Sequence, residues 1–167
     1  MTSPKRIHVE AKRCRGCETC VLACSLHHEG TCNPDMARLV VAKDMARYEF
    51  DILICQHCDA PDCILACPND AMAMDDRGVV FMVDEDCDRC GACAASCPYD
   101  AILYNEDQDR YLKCDLCANR EGGPLCVELC PVGALTLAEV KAVRHCQKQK
   151  ENRRDQGARG EFQREET

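Results

Sequence analysis

Cysteine is the residue through which this chain can do chemistry, because sixteen of its eighteen cysteines stand in four short runs. The runs are Cys14/Cys17/Cys20/Cys24, Cys55/Cys58/Cys63/Cys67, Cys87/Cys90/Cys93/Cys97 and Cys114/Cys117/Cys126/Cys130. The third run has the spacing C-x2-C-x2-C-x3-C-P, which in bacterial proteins holds [4Fe–4S] clusters. The first run has this spacing without the proline, and the second and fourth runs widen only the middle gap.

Two other kinds of bond could explain so many thiols, namely disulfides and structural zinc. Disulfides form in oxidising compartments, and residues 1–10 contain neither an apolar signal segment nor a twin-arginine motif. Zinc also binds paired C-x2-C motifs, but it requires neither a third cysteine at that spacing nor a proline after the fourth. The pattern therefore predicts four [4Fe–4S] clusters, with a zinc-bound interaction module as the alternative.

The rest of the composition is poor in large apolar side chains. The chain has no Trp, three Phe and four Tyr, and 30% of its residues are charged. Metal binding and folding are coupled in small metal-rich domains, because the metal replaces part of the missing core. We therefore expect that the chain does not fold without its clusters.

Charge is unevenly distributed along the chain, whose net formal charge is −8. Residues 141–167 contain eight basic and five acidic residues, a net of +3, which leaves −11 for residues 1–140. Nucleic-acid binding requires clustered basic residues, so the acidic body argues against a nucleic-acid partner. It also opposes the addition of electrons and predicts low reduction potentials. No stretch approaches the roughly 18 apolar residues of a membrane span. The sequence indicates a cytoplasmic protein, or one exported while bound to a signal-bearing partner.

A repeated unit organises the chain: a cysteine run ends in Cys-Pro and leads into a short apolar stretch. Because proline stops a helix, Pro68, Pro98 and Pro131 predict single helical turns between the third and fourth cysteines of their runs. Apolar or alternating stretches predict strands at residues 7–9, 38–42, 48–54, 71–74, 79–83, 101–104 and 110–113. The prediction is an α+β domain over residues 1–140, followed by a polar helix or disordered tail over residues 141–167.

With all four runs placed, the sequence resembles the four-cluster ferredoxin-like family of electron-transfer subunits. These subunits accompany molybdenum and tungsten oxidoreductases, carbon monoxide dehydrogenase and membrane hydrogenases, and the resemblance covers about residues 5–140. It implies tandem bacterial-ferredoxin-like βαβ units of hairpins and short helices, with the clusters in a line. The short length and the segment Cys24-Ser-Leu-His-His-Glu-Gly30 are most similar to the small subunits of tungsten aldehyde oxidoreductases. Carbon monoxide dehydrogenase-linked proteins are similar as well.

The resemblance also implies that runs one and four exchange their fourth ligands, as do runs two and three. The implied ligand sets are Cys14, Cys17, Cys20 and Cys130 (site 1); Cys114, Cys117, Cys126 and Cys24 (site 2); Cys55, Cys58, Cys63 and Cys97 (site 3); and Cys87, Cys90, Cys93 and Cys67 (site 4). The implied function is non-catalytic: a relay of single electrons between a catalytic subunit and a flavin or other acceptor subunit. A free diffusible ferredoxin is the alternative, and self-association into a longer wire is compatible with either.

Several residues outside the ligand sets could be mistaken for functional groups. Cys32 and Cys146 are interpreted as ordinary thiols, and His27 and His28 as solvated or capping residues. His57, inside run two, is expected to face outward, where it could contact a partner. Tyr99 is expected to pack over a cluster. No open-site metal triad or nucleophile–base pair is found, so no catalytic residue is predicted.

Overall fold

The computed structural model describes residues 5–139, which fold into eight short strands and four helices. The strands are β1 (Lys5–Val9), β2 (Leu39–Asp44), β3 (Glu49–Ile54), β4 (Met72–Met74), β5 (Val80–Met82), β6 (Ile102–Asn105), β7 (Arg110–Lys113) and β8 (Leu135–Glu139). The helices are α1 (Thr19–Glu29), α2 (Asp62–Leu65), α3 (Ala92–Ser96) and α4 (Leu125–Glu128), and 3-10 turns lie at Ala11–Arg13, Pro34–Met36 and Asp84–Asp86. The predicted mixture of short strands and short helices is confirmed.

The strands pair two by two, and each pair is antiparallel. Three pairs, β2–β3, β4–β5 and β6–β7, are local hairpins, as the apolar stretches flanking short polar loops predicted. The fourth pair joins the two ends of the described chain, because β1 pairs with β8 and Ile7 stands opposite Leu137. No parallel βαβ crossover occurs within residues 5–139, so the helices lie between hairpins and do not connect parallel strands.

The four helices differ in length according to whether proline follows the run. Helices α2, α3 and α4 span four or five residues and stop before Pro68, Pro98 and Pro131. Run one has no such proline, and α1 continues past Cys24 to a length of eleven residues in all. It ends at Gly30, whose φ of +69° is the left-handed conformation that commonly closes a helix, with its N–H donating to the Leu26 carbonyl.

Two hydrophobic cores form, and they are unequal. The large core is built on β1, β2, β3 and β8, where Ile7, Leu39, Ile54 and Leu135 are almost completely buried. The small core consists of Met72, Val80, Cys93 and Ile102, which come from β4, β5, run three and β6. We call the first region, with runs one and four, the large-core half, and the second, with β4 to β7 and runs two and three, the small-core half.

The described residues contain no helix long and apolar enough to cross a membrane. The predicted polar tail over residues 141–167, which includes Cys146, lies outside the described residues.

Candidate metal centres

Left-handed backbone conformations curl the first part of every run. Gly16, His57, Arg89 and Leu116 each lie two residues after the first cysteine of their runs, with φ values of +65°, +45°, +62° and +59°. Successive residues in turn conformations of this kind direct their N–H groups toward a common point, which suits an anionic group. The N–H groups of Gly16 and His57 donate to Cys14 Sγ at 3.5 Å and to Cys55 Sγ at 3.4 Å. The loops therefore present thiols and amide donors on the same side.

The four thiols of predicted site 1 lie together. Burial is the main cause that raises the pKa of Cys20 to about 12, and the neighbouring thiols of Cys14, Cys17 and Cys130 contribute to the rise. Cys130 belongs to run four, and contact between α1 and α4 brings it to run one. Its Sγ accepts a hydrogen bond of 3.2 Å from the N–H of Ala134.

The thiols of predicted site 2 form the most enclosed group, since all four are buried. Burial raises the pKa of Cys126 strongly, and Cys24 and Cys117 add to that rise. Cys24 arrives from run one on helix α1, and its Sγ accepts a hydrogen bond of 3.3 Å from the N–H of Arg38. Burial likewise raises the pKa of Cys114 well above its usual value, with further contributions from other thiols, Cys126 among them.

Predicted sites 3 and 4 exchange thiols in the same manner. Burial raises the pKa of Cys63 to about 12, and Cys55 and Cys97 add to the rise. Burial also raises the pKa of Cys93, to which Cys87 and Cys67 contribute. The helices α2 and α3, which end the two runs, lie against each other. Each group thus contains a thiol from the other run.

The two halves meet at Cys55 and Cys114. After burial, Cys55 is the largest cause of the raised pKa of Cys114, which places a site 3 thiol beside a site 2 thiol. The contact is reinforced by Arg6, a buried residue of β1 whose guanidinium bonds Asp59 in the loop of run two. The four thiol groups therefore form one continuous series within the described chain.

Exposure differs systematically along this series. Cys17 in site 1 and Cys90 in site 4 are exposed, whereas Cys24, Cys114, Cys117 and Cys126 of site 2 are all buried. The exposed thiols belong to the groups farthest from the Cys55–Cys114 contact. The series therefore has an exposed thiol at each end, and its most enclosed group is site 2, beside the Cys55–Cys114 contact.

His57 is buried, so the expectation that it faces outward is wrong. Its exposed fraction is 0%, and its Nδ1 accepts a hydrogen bond of 3.0 Å from the N–H of Val80. That bond leaves the ring hydrogen on Nε2, which has no hydrogen-bond partner in the structure although it is buried. A buried donor without a partner costs about 1–3 kcal/mol. The backbone N–H of the same residue donates to Cys55 Sγ, so His57 belongs to the surroundings of site 3.

His28 is also less exposed than expected. Because α1 continues beyond Cys24, His28 lies one turn later on the same helix, and its Nε2 is 3.8 Å from Cys117 Sγ and 3.5 Å from Asp115. Burial and the positive charge of Arg38 lower the pKa of His28 to about 4. His27 packs edge-on against His28 at 4.8 Å between ring centroids. Both therefore lie beside site 2, and the solvated interpretation is wrong for His28.

Two aromatic residues flank the thiol groups, and only one of them was expected. Tyr99 is buried and lines a cavity together with Cys55, Cys58, Cys63 and Cys97. Tyr111 lies beside site 4, because burial raises its pKa and Cys93, Cys87 and Cys90 raise it further. Tyr111 lies between Arg110 and Leu112 in β7, and its place in the sequence does not indicate contact with a cysteine run. Cys32 is exposed.

The donor sets fit iron–sulfur clusters. Sixteen thiols stand in four groups of four, amide donors point at several of them, and the cavity between Cys55 and Cys97 is lined by the four site 3 thiols. A closed zinc site also uses four thiolates, but it does not require the C-x2-C-x2-C-x3-C spacing of runs one and three. Fold and donor set together define an iron–sulfur protein of the ferredoxin-like class.

Comparison with known families agrees with that class. Residues 46–140 match the family described as a 4Fe-4S dicluster domain, and residues 11–33 match a 4Fe-4S binding domain. The chain belongs to the ferredoxin-like family of 4Fe–4S electron-transfer subunits. It binds four [4Fe–4S] clusters and is a non-catalytic electron-transfer subunit of oxidoreductase complexes.

Several relatives cover most of the chain. It is 36% identical to the putative electron transport protein YsaA of Escherichia coli K12, over 82% of this chain and 91% of the relative. The B subunit of anaerobic dimethyl sulfoxide reductase from the same organism is 35% identical over 86% of this chain and 78% of its own length. Among solved structures, a protein of the active site complex BamBC of benzoyl coenzyme A reductase is 29% identical. It aligns with a TM-score of 0.52 over 95% of this chain and 90% of its own length.

Proposed function

We propose that the protein is a fixed wire whose four clusters are held in the order site 1, site 2, site 3, site 4. The proposed ligands are Cys14, Cys17, Cys20 and Cys130; then Cys114, Cys117, Cys126 and Cys24; then Cys55, Cys58, Cys63 and Cys97; and finally Cys87, Cys90, Cys93 and Cys67. Each cluster, when bound, accepts and releases one electron, at a potential set by hydrogen bonds, charge and burial. The protein's own residues fix the order and the surroundings of the clusters.

The ligand assignment is supported by the mutual influence of the thiols. In the first pair of runs, Cys130 raises the pKa of Cys20, and Cys24 raises the pKa of Cys126. In the second pair, Cys97 raises the pKa of Cys63, and Cys67 raises the pKa of Cys93. In each case the fourth cysteine of one run lies near a thiol of the other run, as the proposed ligand sets require.

One observation carries the proposal of a through-going wire: Cys55 lies beside Cys114. This contact joins the two pairs of sites, and the exposed thiols Cys17 and Cys90 belong to the sites farthest from it. A shuttle that exchanges electrons at one point needs only one exposed site. Two exposed ends joined through the buried site 2 favour transfer between two different partners.

The surroundings of the two ends differ in charge, which favours different partners. Basic residues flank the first ligand of site 1 in sequence: Lys12, Arg13 and Arg15. The side chains of Lys12 and Arg13 are exposed. Acidic residues flank the first ligand of site 4: Asp84, Glu85, Asp86 and Asp88. The side chain of Glu85 is exposed. A partner of opposite charge docks faster at such an end, and a partner of like charge is repelled. We propose that the catalytic subunit and the acceptor subunit each bind one end.

The catalytic partner that we propose is an enzyme of the tungsten aldehyde oxidoreductase type, with a flavin subunit or another acceptor at the opposite end. This rests on the length of the chain and on the segment following Cys24. Similarity over 90% of its length to a protein of a benzoyl coenzyme A reductase active site complex supports an oxidoreductase as the catalytic partner. Carbon monoxide dehydrogenase or a hydrogenase is the alternative partner.

The cluster assignment is tested by metal analysis of single variants purified without oxygen. The native chain should contain about 16 iron and 16 sulfide, as four [4Fe–4S] clusters require. Cys17→Ser and Cys90→Ser should each alter the electron paramagnetic resonance signal of one cluster, and the two signals should differ. Cys32→Ser is the matched control at an exposed thiol outside the sites. A colourless protein that contains zinc would contradict the assignment.

The partner is tested by purifying the untagged protein from its source under anaerobic conditions. Co-elution with a large subunit and with tungsten supports the proposal, and molybdenum or nickel in that fraction identifies the alternative enzyme. Elution alone indicates a diffusible ferredoxin, and elution at multiples of the chain mass indicates copies joined end to end. In the reconstituted complex, Lys12→Glu and Glu85→Lys should weaken binding of different partners. Loss of the same partner in both variants contradicts opposite-end docking.

A further inference from the structure

Lys113 is a buried charge at the junction between the two halves. It is the last residue of β7, directly before Cys114, and only 5% of it is exposed. Its Nζ donates to the carbonyl oxygen of Cys114 at 3.1 Å and to that of Val80. Among residues 5–139, no carboxylate forms an ion pair with it. An ammonium group is costly to bury without a counter-charge, and negative groups close to it offset that cost.

Cysteines of sites 2 and 3 lie around Lys113. Lys113 lines the cavity that also contains Cys55, Cys58 and Cys63. Cys97 completes the site 3 thiols in that cavity. Lys113 also donates a hydrogen bond to the carbonyl oxygen of Cys114, a residue of site 2. Lys113 therefore lies next to residues of both central sites.

The position of Lys113 is fixed by the backbone of β5. Val80 accepts the hydrogen bond from Lys113 through its carbonyl oxygen, and it donates its N–H to Nδ1 of His57 at 3.0 Å. Val80 is 1% exposed and His57 is fully buried. The ammonium group is therefore held between the two halves and cannot swing into solvent without breaking this arrangement.

We infer that Lys113 is a positioning residue that raises the reduction potentials of the two central clusters, at sites 2 and 3. Addition of an electron to a cluster makes it more negative, and a fixed positive charge nearby stabilises the reduced form. The effect is strong where the dielectric constant is low and weak where water intervenes. Cys55 and all four site 2 thiols are buried beside this charge, so sites 2 and 3 are affected more strongly than the end sites, which contain the exposed thiols Cys17 and Cys90. This inference rests on the proposed ligand sets.

The arrangement has a functional consequence for electron flow. With its centre stabilised, the wire accepts an electron from either end, and the reduced form is favoured at sites 2 and 3. Lys113 thus counteracts locally the overall negative charge of the chain.

The test is a redox titration of the full chain, followed by electron paramagnetic resonance, with Lys113→Gln as the main variant. Glutamine removes the charge but retains an N–H donor for the carbonyl oxygens of Val80 and Cys114. Two of the four couples should become at least tenfold harder to reduce, which is a downward shift of about 59 mV for one electron. The other two should be those altered by Cys17→Ser and Cys90→Ser. Lys43→Gln, at an exposed lysine, is the matched control and should shift none.

Other outcomes separate this inference from the proposed function. Suppose that the native chain contains four clusters. If Lys113→Gln then shifts no couple, or shifts the couples altered by Cys17→Ser or Cys90→Ser, the inference is overturned. The proposed function is not contradicted by that result. A native chain without four one-electron couples overturns the proposed function first. If Lys113→Gln does not assemble, Lys113→Arg decides: it retains the charge and should leave all couples in place. A tenfold loss at two couples in that variant contradicts control by charge.

Discussion

The large-core half and the small-core half contain the same kind of metal site, but the hydrophobic core is much larger in the first half than in the second. The large-core half buries Ile7, Leu39, Ile54 and Leu135 between four strands and the long helix α1. The small-core half has a cluster of four buried residues, one of which is a metal-binding cysteine. Where side chains cannot provide cohesion, the bound metal must provide it. The two halves should therefore respond differently whenever metal or packing is disturbed.

Removal of metal should have the largest effect and should separate the halves. During slow anaerobic chelation, we expect amide protection to be lost first in β4 to β7 and only later in β1 and β8, because few apolar contacts remain in the small-core half. Complete removal should unfold the chain. Hydrogen exchange followed by mass spectrometry measures this order, with the same chelator presaturated with iron as control. Simultaneous loss of protection in both halves would show that the difference in cores is irrelevant.

The exits of the cysteine runs offer a second comparison. Ser25→Pro would give run one the Cys-Pro ending of the other runs, but here it places proline inside α1. We expect a loss of about 3 kcal/mol or more in stability, measured by anaerobic thermal denaturation. Ser25→Ala is the control, since it removes only the hydroxyl that bonds the Leu22 carbonyl and the Asn33 N–H. It should cost about 1 kcal/mol. Equal losses in the two variants would mean that the length of α1 does not matter.

A third comparison concerns two glycines that lie against aromatic rings. A Cβ at Gly16 would lie 2.5 Å from a ring carbon of Phe50 in β3, whereas at Gly91 it would lie 2.8 Å from the hydroxyl of Tyr111. Both residues have positive φ, so each alanine variant costs about 1–2 kcal/mol in backbone strain. We expect Gly16→Ala to cost about 1–3 kcal/mol more, because a ring in the large-core half must move. Denaturant titration of both holoproteins measures the difference, and a greater loss in Gly91→Ala would reverse the expected order.

Surface ion pairs should matter least in either half. Lys43 pairs with Glu18 at 2.8 Å, and Arg77 pairs with Asp75 at 2.8 Å. Exposed pairs contribute about 0–1 kcal/mol. We therefore expect Lys43→Ala and Arg77→Ala each to change the denaturation midpoint only slightly, and the effect of each should shrink in high salt. A loss above about 2 kcal/mol in either variant would indicate a role beyond the pair.

Local patterns predicted a large part of this structure. The strand predicted at residues 110–113 coincides with β7, and the three hairpins follow from apolar stretches on either side of short polar loops. The prediction of [4Fe–4S] clusters depends only on the spacing of the cysteines. These features depend on neighbours in sequence, and one sequence contains that information directly.

Features that depend on distant segments could not be predicted in this way. The pairing of β1 with β8 joins residues more than one hundred positions apart, and no local pattern of Ile7 or Leu135 specifies a partner. The burial of His57 and Lys113 results from the approach of β5, which brings Val80 to both. His28 is different. Because no proline follows Cys24, the helix could have been extended by one turn, and His28 would then have been placed on the same face as that cysteine.

The pairing of β1 with β8 has a consequence for the order in which clusters can be inserted into a newly made chain. All proposed ligands of sites 3 and 4 lie within residues 55–97, so both clusters can be inserted while the ribosome is still adding later residues. Sites 1 and 2 need Cys130 or residues from 114 onward, together with thiols near the N-terminus. Those early thiols must stay reduced and unliganded until residues 114–130 have been made. The half with the smaller core is thus the one that can mature first, and the half with the larger core waits for run four.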